Sequence, residues 1–72
     1  MAHATIRATL MSEIVRLICE KYHCTERKAM DMFYTSATGE NFADDETGLY
    51  GQSALYVFGL FDEEKRVEKD VE

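Results

Sequence analysis

The stretch Leu55-Tyr56-Val57-Phe58-Gly59-Leu60-Phe61 constrains this chain more than any other, because six of its seven residues are apolar and no charge interrupts them. Wound as a helix at about 100° per residue, its side chains point all round the axis. A helix apolar on every side must be covered on every side. Only 72 residues are available to do it, and so short a chain sets a small core against an ordering cost of about 1.5 kcal/mol per residue. The run therefore predicts cover from a second copy of the chain or from a protein partner. A buried strand is the competing form, and Gly59 costs a helix about 1 kcal/mol. An N-cap at Ser53, a single β-branched residue (Val57) and the charged continuation after Phe61 favour a helix from Ala54 to about Arg66.

The remainder also reads as helix. The chain has no proline, and three of its four glycines lie between residues 39 and 51, so helices are expected at both ends with irregular structure between them. Ile6, Leu10, Ile14, Leu17 and Ile18 recur at helical spacing, Met11 and Tyr22 widen the apolar arc, and Glu13, Arg16 and Glu20 lie opposite. This predicts an amphipathic helix over about residues 4–22, with Arg7 and Lys21 snorkelling from its ends. His23-Cys24 breaks it. Thr25 then caps a second helix over about residues 26–36, with Ala29, Met30, Phe33 and Tyr34 inward and Arg27, Lys28 and Asp31 outward. Asn41–Asp45 reads as one helical turn anchored by Phe42, and residues 46–51 as an ordered loop that must bury Leu49 and Tyr50. The expected fold is all-α: a small bundle of about three helices with an ordered central loop, forming one domain over residues 1–66 ahead of a frayed acidic tail at 67–72.

Charge is divided unevenly. Residues 1–39 carry five basic and four acidic side chains and residues 40–72 carry three and ten, so the halves stand at +1 and −7. The second half would repel a phosphate backbone, since nucleic-acid affinity comes mostly from Lys and Arg displacing counterions. It suits steering toward a basic protein partner, or simply solubility. Ser12, Glu13 and Arg16 interrupt any signal-peptide pattern, and no apolar stretch approaches a membrane span. With two cysteines and no disulfide framework, a cytoplasmic location is expected.

Little in the chain points to chemistry. Cys19, His23, Cys24 and the distant His3 are the only His and Cys ligands, too few in one stretch for the four that structural zinc takes. Cys19 points from the first helix while Cys24 sits in the turn after it, so a bridge between them is expected to require unwinding the helix end. Asp44-Asp45-Glu46-Thr47-Gly48 fails the calcium-loop pattern, because the sixth position is Leu49 and the twelfth Leu55; capping or solvation is the expected role. Thr35, Ser36, Thr38 and Ser53 form no nucleophile–base arrangement, and no glycine-rich phosphate loop occurs. The aromatics lack interleaved Lys or Arg, so they read as packing groups rather than base-stacking platforms. No enzyme activity, metal or cofactor is expected.

The order of segments is an amphipathic helix, Cys24-Thr25-Glu26 opening a second helix that ends Met32-Phe33-Tyr34-Thr35-Ser36, then Phe42 to Tyr50, Ser53-Ala54-Leu55-Tyr56 and Leu60-Phe61-Asp62-Glu63-Glu64. Over roughly residues 10–64 it resembles a family of short bacterial helical proteins of unknown function, often encoded in suspected toxin–antitoxin pairs. The resemblance implies an antitoxin-like role but carries over no functional residue. The expected function is that of a homodimeric protein-interaction module. Leu55, Tyr56, Phe58 and Phe61 would anchor the partner, and Asp44, Asp45, Glu46, Asp62, Glu63 and Glu64 would form an acidic rim. The alternative is a small helix-turn-helix DNA regulator built on the first two helices, with Arg27 and Lys28 as its cations.

Overall fold

The computed structural model describes the backbone of residues 2–71 and the side chains of residues 5–68. Four α-helices follow one another: α1 (Ala2–Tyr22), α2 (Glu26–Tyr34), α3 (Ala37–Ala43) and α4 (Ala54–Val71). Two 3-10 turns, Asp45–Thr47 and Leu49–Gly51, join α3 to α4, and no strand occurs among the described residues. The all-α expectation holds, with four helices where about three were expected.

Local chemistry sets most boundaries. Thr25 caps α2, its hydroxyl accepting from Lys28 N at 3.1 Å, and Ser53 caps α4 by accepting from Tyr56 N at 3.1 Å. His23, with φ at 54°, is the left-handed residue that ends α1. Gly48, with φ at 71°, occupies the same region between the 3-10 turns, where a glycine has no Cβ to clash.

Two boundaries differ from the sequence reading. The second helix stops at Tyr34 rather than near Ser36, and Ser36 instead caps α3, its Oγ accepting from Gly39 N at 2.9 Å. Of the single turn expected at Asn41–Asp45, Asn41–Ala43 is the latter part of this longer helix, while Asp44 caps its end and Asp45 opens the first 3-10 turn. At the other end, α4 runs on to Val71, past the expected stop at Arg66. Of the tail expected to fray, Val67–Val71 is helical and Glu72 lies outside the described residues.

The core comprises Ile14, Val15 and Ile18 of α1, Ala29 and Phe33 of α2, Phe42 of α3, and Ala54, Val57 and Phe61 of α4. Each helix supplies one ring to a chain of aromatic contacts. Phe42 meets Phe33 at 5.7 Å between centroids, Phe33 meets Phe61 at 5.9 Å, and Phe61 meets Tyr22 edge-on at 6.1 Å. Such pairs add about 0.5–1.5 kcal/mol each beyond the area they bury. The buried face of α1 is turned toward Val15, which leaves Ile6 40% exposed. On α2, likewise, Ala29 and Phe33 are buried whereas Met30 and Tyr34 face outward.

Polar contacts clamp both ends of α1. Near its start, Arg7 pairs with Asp45, donates from Nε to Phe42 O at 3.3 Å, and stacks 5.2 Å from the Tyr50 ring centroid. Near its end, Tyr22 and Lys21 bind Asp62. α1 and α4 therefore run side by side in the same sense, with α2 and α3 as the return path.

Candidate protein-binding surface

Helix α4 has enough apolar positions for two faces, and the other helices cover one of them. Ala54, Val57 and Phe61 turn inward, with Phe58 half-buried against the same core. Leu55 and Tyr56 turn outward in the first turn, 68% and 53% exposed, and Val67 is 55% exposed further along. Phe61 is fully buried and offers no surface to a partner, which corrects its expected role as an anchor. Its ring is instead the junction between Phe33 and Tyr22, with Lys65 Nζ 5.5 Å from its centroid. Phe58 presents only part of its ring to solvent.

The six carboxylates expected to form a rim fall into two groups. Four are engaged within the fold. Asp44 caps the first 3-10 turn by accepting from Glu46 N at 3.0 Å, and Asp45 pairs with Arg7. Asp62 accepts from Tyr22 Oη at 2.7 Å and from Lys21 Nζ at 3.2 Å, with Arg66 Nε at 3.7 Å. The Tyr22 hydrogen bond, ahead of the opposing push of burial and the help of Lys21, holds Asp62 below the usual carboxylate range. Burial, followed by the hydrogen bond to Asp62, pushes the Tyr22 phenol up to about 12.

Glu64 has the most specific internal role. Its Oε2 accepts from Ala37 N at 2.8 Å, and its Oε1 accepts from Thr38 N at 2.9 Å and Thr38 Oγ1 at 2.7 Å. The first N–H groups of a helix have no partner inside it. In α3 all are satisfied: Ala37 and Thr38 by Glu64, Gly39 by Ser36 Oγ, and Glu40 by Ser36 O at 3.1 Å. Burial pushes the Glu64 carboxyl up, and the hydrogen bonds from Thr38 and Ala37 outweigh it, so the group stays below the ordinary glutamate value. The other two carboxylates, Glu46 and Glu63, are exposed.

Shallow hollows also lie on α1 and α2: Ala8 and Met11 line one with Tyr34 and another with Met30, and Met30 and Tyr34 line a third. Among the described residues, no three His, Cys, Asp or Glu side chains are placed to hold a metal ion together, and no helix is long and apolar enough to cross a membrane. Val67, which the sequence pattern places in the tail, lies on the exposed surface of α4. Its spacing of eleven from Tyr56 and seven from Leu60 was the available signal, since those intervals return to one helical face.

No protein-family model, curated protein or solved structure matches this chain.

Proposed function

We propose that this chain is a non-enzymatic protein-interaction module that binds its partner through the solvent-facing side of α4. The observation carrying this reading is the pair Leu55 and Tyr56, adjacent in the first helical turn and each more than half exposed. Buried aromatic anchors dominate binding energy, whereas rim charges mainly steer encounter. Leu55 and Tyr56 are the anchors in this reading, with Val67 extending the contact and exposed Glu63, two turns further along the Tyr56 face, favouring a basic rim on the partner. Self-association of two copies through the same face is part of the proposal. The antitoxin-like role, in which the module occludes a basic protein, rests on the family resemblance alone.

The DNA-binding alternative is the weaker reading. Arg7 is held by Asp45 and Tyr50 and the exposed Lys21 is paired with Asp62, which leaves Arg16, Arg27 and Lys28 as the cations outside an ion pair among the described residues of the first 39.

The test is co-expression with a tagged bait, followed by light scattering of what elutes. A stoichiometric basic partner is expected, lost in Leu55→Asp and Tyr56→Asp variants whose helical circular dichroism is unchanged. Undiminished binding by both variants, or a wild-type chain that elutes as a bare monomer, would sink the proposal.

A further inference from the structure

Gly59 stands within α4, where a glycine weakens a helix relative to alanine. Nothing inside the chain calls for it there. Among the described residues Gly48 is the glycine with positive φ, and a Cβ built on Gly59 meets no atom within 4 Å. At about 100° per residue from Leu55, the buried Ala54, Val57 and Phe61 fall at about 200–260° and Gly59 at about 40°. The exposed glycine therefore lies almost directly opposite the core, flanked by Leu55 and Tyr56. Bare backbone at the centre of an outward face lets a second helix approach closer than the usual axis separation of about 8–10 Å.

We propose that a second copy of the chain occupies this face, its α4 crossing the first in antiparallel sense with the two Gly59 residues at the point of closest approach. The inference rests on the reading of the outer side of α4 as the binding surface. Charge selects the sense of the pair. Glu63 and Arg66, at about 80° and 20°, share the exposed face with Gly59. A parallel twofold pair would set Glu63 against Glu63 and Arg66 against Arg66, and like charges in contact are costly. In the antiparallel pair each end of the face meets the other end of its copy. Tyr56 lies about 4.5 Å along the axis before Gly59, and Glu63 about 6 Å after it. Tyr56 thus comes level with Glu63 of the second copy, where its Oη donates a charge-assisted hydrogen bond to that carboxylate. Leu55 packs on the apolar stem of the same Glu63. The face is complementary to itself, as a twofold interface requires. A basic protein partner engages the same Leu55 and Tyr56, so it exchanges with the second copy rather than adding to it.

The experiment is sedimentation equilibrium of the purified full-length chain over a range of concentrations. The expected species is a dimer, twice the 8.3 kDa of one chain, that dissociates on dilution. Gly59→Gln has room in the single chain, so its helical circular dichroism is retained while its dimer weakens by about tenfold or more. Glu63→Gln, which removes the charge from the bond to Tyr56, should also weaken the dimer, by about threefold or more. A dimer indifferent to Gly59→Gln overturns the proposal. So does one that tightens in Glu63→Gln, because relief of repulsion marks a parallel pair. A chain that stays monomeric yet captures a protein partner through Leu55 and Tyr56 overturns the second copy alone and leaves the surface standing. If Leu55→Asp and Tyr56→Asp alter neither dimer nor partner binding, the surface reading falls with it.

Discussion

Removing the Glu64 carboxylate tests how α3 is held. The helix has seven residues, too few to be stable alone in water. Its start is held by three hydrogen bonds from Ala37 and Thr38 to a side chain 26 to 27 residues later. A hydrogen bond to a charged group contributes about 1.5–3 kcal/mol. Ala37 is exposed, so water replaces much of its bond, whereas Thr38 is 7% exposed and its N–H and hydroxyl are left poorly served. The expected cost of Glu64→Ala is therefore about 2–3 kcal/mol rather than the sum of three full bonds. At about 4–8 °C per kcal/mol for a chain of this length, the midpoint falls by about 10–20 °C.

Glu64→Gln keeps one acceptor but turns an amide NH2 toward a backbone donor, and about half that loss is expected. Thermal and urea unfolding followed by circular dichroism measure both. The pH dependence provides a second check. The folded pKa of Glu64 lies below the ordinary 4.5, so the folded state binds fewer protons than the unfolded state on the acid side of that value. Its contribution is complete above pH 4.5 and is lost as pH falls through the folded pKa. The gap between wild type and Glu64→Ala should narrow below pH 4.5. If both variants unfold within about 0.5 kcal/mol of wild type at neutral pH, the carboxylate is a bystander and the capping account is wrong.

Other perturbations give results of different sign and size. Gly39→Ala would place a Cβ 1.8 Å from Phe33 O and 2.8 Å from Phe33 C, both backbone atoms; a loss of about 3 kcal/mol or more in urea unfolding is expected, and a tolerated alanine would contradict the packing of α2 on α3. His23→Gly relieves a left-handed non-glycine residue, so a gain of up to about 1 kcal/mol in the same assay is expected. Phe61→Ala should cost about 3–5 kcal/mol in stability while Leu55→Ala costs under about 0.5 kcal/mol; equal effects would mean that the two faces of α4 are misassigned. The Tyr22 phenol, raised to about 12 from an ordinary 10.0, favours folding fully below pH 10 and progressively less as pH rises to about 12. The absorbance titration of wild type minus Tyr22→Phe at 295 nm should show its step near the upper value.

What the sequence by itself determined is local. The caps at Thr25 and Ser53, the break after Tyr22 and the helical character of residues 55–61 each depend on atoms within a turn or so of one another, so spacing and residue type suffice to read them. Ser36 is as local a cap as Thr25, yet residue type and spacing alone place it at the end of the preceding helix. Whether Thr35-Ser36 continues one helix or opens another turns on Glu64, and on Gly39 fitting against Phe33 O, both matters of tertiary contact.

The same holds for the faces. Periodicity marks an apolar arc on α1 but not its centre, and the packing of Val15 rather than Ile6 came from α2 and α4 lying beside it. On α4 the apolar residues run all round, so only the assembled bundle could decide that Phe61 is core and Leu55 is surface. The acidic residues follow suit. As sequence they are a single charged population, whereas in the fold Asp62 answers Tyr22 40 residues away, Asp45 answers Arg7, and Glu64 closes α3. A carboxylate's role is set by the donor that faces it, and for these three the donors come from distant segments.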